Sequence, residues 1–231
     1  DTDPDDYRDS HYDMNYSSNI EDITAQYNFD YKPHHAHDIK FGAQYTFHIF
    51  KPTVTSIYQQ TFDTLTTNSM DTTYGDAPTY THEAVLYIED NWDIHRRLRM
   101  NIGLRGSMYA VGGKVYPNLE PRVGLRVLLM KDLSFKASYQ YVTQYLHLLS
   151  SSNVTLPIDL WVPVTTNIPP MHSHQVAAGF FYNLLDLVDF SVEGYYKTMD
   201  NVLEYKNGAS FVSSTTGWEE KVNVGRGWSY G

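Results

Sequence analysis

The stretch RLRMNIGLRGSMYAVGGKVYPNLEPRVGLRVLL, residues 97–129, repeats with a period of two. Before its glycine pair, Leu98, Met100, Ile102 and Leu104 alternate with Arg97, Arg99, Asn101 and Arg105. After it, Val123, Leu125, Val127 and Leu129 alternate with Glu120, Arg122, Gly124 and Arg126. Successive side chains of a β-strand point to opposite faces, so each half reads as a strand with one apolar and one charged face.

The alternation continues in both directions. Upstream, Ile23, Ala25, Tyr27, Phe29 and Tyr31 oppose Thr24, Gln26, Asn28 and Asp30, and Ile39, Phe41, Ala43, Tyr45, Phe47 and Ile49 oppose Asp38, Lys40, Gly42, Gln44, Thr46 and His48. A third strand is expected over 82–94, with Ala84, Leu86, Ile88 and Trp92 on its apolar side. Downstream, Leu133, Phe135, Ala137, Tyr139 and Tyr141 oppose Ser134, Lys136, Ser138 and Gln140. Further strands follow at about 173–182 and at 189–198, where Phe190, Val192 and Tyr196 oppose Ser191, Glu193 and Lys197. A ninth begins near Val222, and no helical pattern of three turns or more is present. Glycine recurs on the charged face at Gly42, Gly103, Gly124 and Gly179, which implies either close packing against something on that side or bending of the sheet.

The connections sort into two kinds. KPHHAH, HRR, MKD and NLLDLV are short. Between them lie residues 51–80, 110–118, 143–172 and 200–220, all read as longer loops. In an up-and-down sheet every second connection lies at the same end, so one end carries tight turns and the other long loops. Outer-membrane β-barrels have that asymmetry, with short periplasmic turns and long extracellular loops. A soluble sandwich has no reason to sort its loops by end.

In such a barrel the charged face looks inward. An arginine facing lipid at the bilayer midplane costs ~2–4 kcal/mol, so Arg97, Arg99, Arg105, Arg122 and Arg126 together would cost roughly 10–20 kcal/mol. The expected lumen-facing charges are these five with Glu120, Lys136, Glu193 and Lys197. Tyr31, Phe47, Trp92 and Tyr141, near strand ends, suit interfacial aromatic girdles.

Composition agrees. Of 231 residues 15% are aromatic, 20 of them tyrosine, which favours strands. A net charge of −10 with no basic cluster argues against nucleic acid as a partner. The absence of cysteine removes disulfide scaffolds and thiolate metal sites. Average hydropathy misses barrel strands, whose apolar surface is hidden in alternation.

The segments EAVLYIEDNWDIHRRLRMNIGLRGSMY, residues 83–109, and LEPRVGLRVLLMKDLSFKASYQYVTQYLHLLSSSNVTLPIDLWVPVTTNIPPMHSHQVAAGFFYN, residues 119–183, resemble TonB-dependent outer-membrane receptors. FSVEGYYKTMDNVLEYKNGA, residues 190–209, continues the likeness, and together with residues 119–183 it resembles receptors of the Bacteroidota, whose plug is often preceded by a carboxypeptidase-regulatory-like domain. The resemblance implies a 22-stranded barrel holding a globular plug, and active import of a large or scarce solute: an iron chelate, cobalamin, a glycan or a peptide. It implies outer-membrane lipid around the barrel, TonB as a partner through a plug segment, and in some members a surface lipoprotein lid. Residues 1–231 are then expected to be an interior barrel segment of about nine strands, with the plug and the barrel C-terminus elsewhere. A passive porin, or a barrel used as scaffold or adhesin without transport, are the alternatives.

No catalytic signature occurs: HExxH, GxSxG, the P-loop and GxGxxG are all missing. The pairs Glu219–Glu220 and Glu89–Asp90, with Glu83, are weak grounds for a glycosidase. No cofactor is expected. Asp1, Asp3, Asp5, Asp6, Asp9 and Asp13 form an acidic stretch that lacks the glycine and terminal glutamate of a calcium loop, and reads as a solvated extracellular loop. His34, His35 and His37 sit in a tight turn where the three rings are not expected to converge on a metal. The loop 143–173 is the best site candidate. Tyr145, His147, Asp159 and Trp161 in it either contact a solute or pack the loop against its neighbours, with Pro157, Pro163, Pro169 and Pro170 stiffening it.

Overall fold

A computed structural model of the chain describes residues 9–62, 67–75, 77–149, 160–185, 187–206 and 218–231. The strands are β1 (Asp9–His34), β2 (His37–Phe62), β3 (Thr67–Gly75), β4 (Thr79–His95), β5 (Leu98–Val111), β6 (Lys114–Met130), β7 (Leu133–Gln144), β8 (Leu146–Leu149), β9 (Leu160–Pro163), β10 (Met171–Leu184), β11 (Val188–Tyr205) and β12 (Val222–Tyr230). One 3₁₀ turn, Trp218–Lys221, precedes β12. Nine strands form a single antiparallel path, β1-β2-β4-β5-β6-β7-β10-β11-β12, with β3 paired to the outer half of β2. The expected all-β, up-and-down sheet is therefore the observed one. Among the described residues β1 and β12 are its edges.

The loops differ from expectation. Residues 51–62 and 67–75 are not loop but the outer half of β2 and all of β3. Asp9 and Asp13, expected in a loop, belong to β1, while Asp1 to Asp6 lie outside the described residues. The connection read as residues 110–118 is a two-residue turn, Gly112–Gly113, with φ of 54° and 82°. Two consecutive positive φ values define the hairpin turn that glycine pairs favour. The histidine turn also shrinks, to His35–Ala36 between β1 and β2. There the rings of His34 and His35 lie 3.8 Å apart rather than diverging.

The sheet is curved. β2 and β11 are six strand spacings apart, about 29 Å along the sheet. Yet the small β8–β9 sheet places β8 within 8 Å (Cα to Cα) of β11 and β9 within 8 Å of β2. Adding a ~4.8 Å gap between β8 and β9 gives a chord near 21 Å at most, shorter than the arc. The β8–β9 unit thus spans the hollow of the curve like a strap.

The convex face is apolar and unpacked: Ile23, Leu86, Ile88, Ile102, Val176 and Val192 are all exposed there. Aromatic groups bound it at two levels. Towards the tight turns, Phe29 stacks on Phe41 and His37 on Trp92. Towards the open end, Phe47 stacks on Tyr80, and Tyr141 on His172 and His174. On β4 the two levels are His82 and Trp92, ten residues apart by number, or roughly 25 Å of height for a strand tilted ~40°. That equals the apolar band of an outer-membrane barrel. No helix among the described residues is long and apolar enough to cross a membrane.

Three of the four concave-face glycines, Gly42, Gly103 and Gly179, are closely approached by neighbouring strands, and Gly124 is not. A Cβ on Gly42 would fall 2.4 Å from the Tyr27 carbonyl oxygen and 2.7 Å from the Tyr87 ring, and one on Gly103 would fall 2.7 Å from the Arg122 stem. The close approach comes from adjacent strands of the same sheet.

Candidate functional site

Inward residues from five strands meet below the strap. The register sets Glu83 opposite Tyr109 and Arg105 opposite Glu120, so these alternate positions all project onto the concave side. The Arg105 guanidinium bridges two carboxylates, donating to Glu83 at 2.8 Å and to Glu120 at 2.6 Å. His48 of β2 lies between Asp22 of β1 (Nδ1 to Oδ1, 2.7 Å) and Glu83 of β4 (Nε2 to Oε2, 3.5 Å). Glu120 is 5% exposed. A carboxylate so buried is tolerable only when paired and hydrogen-bonded, as it is here.

The strap is tied to this cluster by Tyr145. Asn118 donates to the Tyr145 hydroxyl (2.9 Å), which lies 2.8 Å from the Ser107 hydroxyl. Ser107 in turn donates to Glu120 (2.7 Å). The Tyr145 ring stacks on Tyr109 at 4.6 Å and 5°. Burial pushes the Tyr145 hydroxyl pKa upward, so it stays a neutral hydrogen-bonding group. Further ties come from Lys114 to the Thr166 carbonyl (3.0 Å), Tyr116 to the Thr165 carbonyl (2.7 Å) and Asn201 to the Pro170 carbonyl (2.9 Å).

The strap also has apolar packing. Leu149, Leu160, Val162 and Ile168 cluster with Leu203, Trp218 and Val222, and Val164 packs with Tyr109, Val111 and Tyr145. His147 is 3% exposed and donates through Nε2 to the Pro169 carbonyl at 3.2 Å. Burial lowers its pKa to about 4, so it is neutral at pH 7. Trp161 is 42% exposed on β9. Asp159 lies outside the described residues. The four loop residues singled out from sequence thus separate into a buried anchor, a buried neutral histidine, an exposed indole and one undescribed position.

The remaining charges form a second region nearer the tight turns. Arg99 chelates Asp93 with both arms, and Arg122 reaches Glu89 at 3.6 Å. Lys136 lies over the Phe181 ring at 3.8 Å. Arg99, Arg126, Lys136 and Glu193 share a cleft of about 490 Å³. Lys197 pairs in register with Gln175 and Ser229. Arg97 is not on β5 but is the second residue of the Arg96–Arg97 turn, where strand alternation no longer sets its face. No group of three or more His, Asp or Glu side chains suited to a metal occurs among the described residues.

Sequence reasoning missed Asp22, His48, Glu83, Ser107, Tyr109 and Asn118 as one cluster. All but Asn118, which fell in the connection read as 110–118, continue the inward register of a strand expected from sequence. Their meeting point was not legible, because it depends on strand register.

The model of the TonB dependent receptor-like β-barrel family matches residues 1–231. The chain belongs to that family. Receptor barrels of known structure share its fold. The FrpB iron transporter of Neisseria meningitidis superposes with a TM-score of 0.54 at 17% identity, over 82% of this chain and 30% of that one. The siderophore receptor PirA of Acinetobacter baumannii gives 0.53 at 15% identity, over 90% of this chain and 31% of that one. The chain therefore spans about a third of the length of those receptors. No curated protein matches it in sequence. In the frame of a receptor barrel, the concave face is the lumen side and the strap lies across the lumen mouth.

Proposed function

We propose that the chain is a barrel segment of an outer-membrane receptor that imports a large or scarce solute with energy delivered through TonB. The match of the family model to the whole chain carries this reading. In it the convex apolar band faces lipid, the tight turns face the periplasm and the strap faces the outside. In this reading the remaining barrel strands, and a plug that contacts TonB, belong to the rest of the receptor. A surface lipoprotein lid is a further partner consistent with a glycan or peptide as solute. Of the three described loop residues singled out from sequence, Trp161 is the one exposed for solute contact, while Tyr145 and His147 hold the strap in place.

The test uses cells carrying the full receptor. Uptake of ferric chelates, cobalamin, oligosaccharides and peptides is measured with and without TonB. Import of one class, abolished when TonB is lost, is expected. Entry that is indifferent to TonB would replace this reading with a diffusion pore, and no entry of any class would replace it with a scaffold.

A further inference from the structure

We infer that the cleft where the strap meets the lumen wall is a subsite for a cationic group, an ammonium or guanidinium carried by the solute. This rests on the import reading and gives the chemistry of what is imported. The cleft, of about 220 Å³, is lined by Asp22, His48, Glu83, Phe50, Tyr109 and Tyr145 among others. That is smaller than the ~300–1,000 Å³ of a typical small-molecule site, so it takes one group of a larger solute.

Charge makes the subsite anionic. Asp22, Glu83 and Glu120 are three carboxylates, and within the cluster they meet one guanidinium, Arg105, and one histidine, His48. A deficit of positive charge remains whether or not His48 carries a proton. The lower lumen wall has the opposite character, with Arg99, Arg126 and Lys136 around its own cleft. An anionic solute group is thus disfavoured at the mouth.

Hydrogen bonding points the same way. Tyr109 lines the cleft and is 1% exposed, yet its hydroxyl meets no partner in hydrogen-bond geometry. Such a buried orphan is rare in native proteins and calls for a partner. An ammonium or guanidinium brings several N–H donors to the hydroxyl oxygen and the carboxylates at once. The rings of Phe50, Tyr109 and Tyr145 supply aromatic surface against which a cation is stabilised.

Binding of Gly-Arg-Gly and its neutral isostere Gly-citrulline-Gly to the purified full receptor tests this, by calorimetry or saturation-transfer NMR. At least tenfold preference for the arginine peptide is expected, with Gly-Glu-Gly not bound. Asp22→Asn with Glu83→Gln should abolish the preference, while Glu204→Gln, on an exposed residue away from the cleft, should keep it. Equal binding of the arginine and citrulline peptides, no binding of either, or a preference that survives the double substitution overturns the subsite. If the double variant fails to assemble, the three peptides on the unmodified receptor decide. TonB-dependent uptake without charge preference would remove the subsite and leave import standing. Charge-selective binding by a receptor whose uptake ignores TonB would remove import and leave the subsite.

Discussion

His147 shows how one side chain couples the strap to pH. Its Nε2–H donates to the Pro169 carbonyl, and burial holds its pKa near 4 against an ordinary 6.5. A histidine depressed in this way destabilises on acidification. As pH falls through 6.5 an open strap takes up a proton that the closed strap refuses until about pH 4. Strap stability should be flat above pH 7, fall between 6.5 and 4, and level off below. The total is bounded by about 3.5 kcal/mol, from ~1.4 kcal/mol per unit. Protection factors of the β8 and β9 amides in the full receptor, corrected for intrinsic exchange, measure it. His147→Gln should abolish the step, and a step that persists in that variant would assign it to another group. From sequence, His147 was one loop histidine among candidates for solute contact. Its actual environment depends on Pro169, 22 positions away.

Strands and turns were legible where one face of the sheet is apolar and the other polar, and illegible where that contrast stops. Ile39 to Ile49 alternate cleanly because they lie between the two aromatic levels, with one side on the apolar convex face and the other on the polar concave face. Beyond Phe50 both faces of β2 lie past the aromatic level, and the pattern fades although the backbone ladder continues to Phe62. The signal that remained was composition: PTVTSIYQQTF is rich in β-branched and aromatic residues, which favour strands. The Gly112–Gly113 turn was hidden for a related reason, since Lys114 to Asn118 continue β6 above the band. The glycines separate into two classes with different expected tolerance. Gly42→Val would drive its Cβ into the Tyr27 carbonyl, whereas at Gly124 the nearest atom to a new Cβ is Asn101 Cβ at 3.6 Å. Heat-modifiable gel mobility of the full receptor should show impaired assembly for Gly42→Val and normal assembly for Gly124→Ala. Equal behaviour would remove the role given to Tyr87 packing over Gly42.

Across the sheet as a whole, the two faces impose opposite rules on charge. Leu104 is 40% exposed on the convex face, and Ser138 is exposed on the concave one. Leu104→Arg should cost about 2–4 kcal/mol in the bilayer and reduce the amount of folded receptor in membranes. Ser138→Arg should leave that amount unchanged. The reverse result, by membrane fractionation, would invert the assignment of faces. The nine strands of the main path and their two faces follow from local alternation, because each residue's side follows from its immediate neighbours under a period of two. The strap and its anionic cleft do not. Asp22 and Tyr145 are brought together by curvature accumulated over a whole sheet, and by loop packing on Trp218 and Leu203, to which no local pattern contributes.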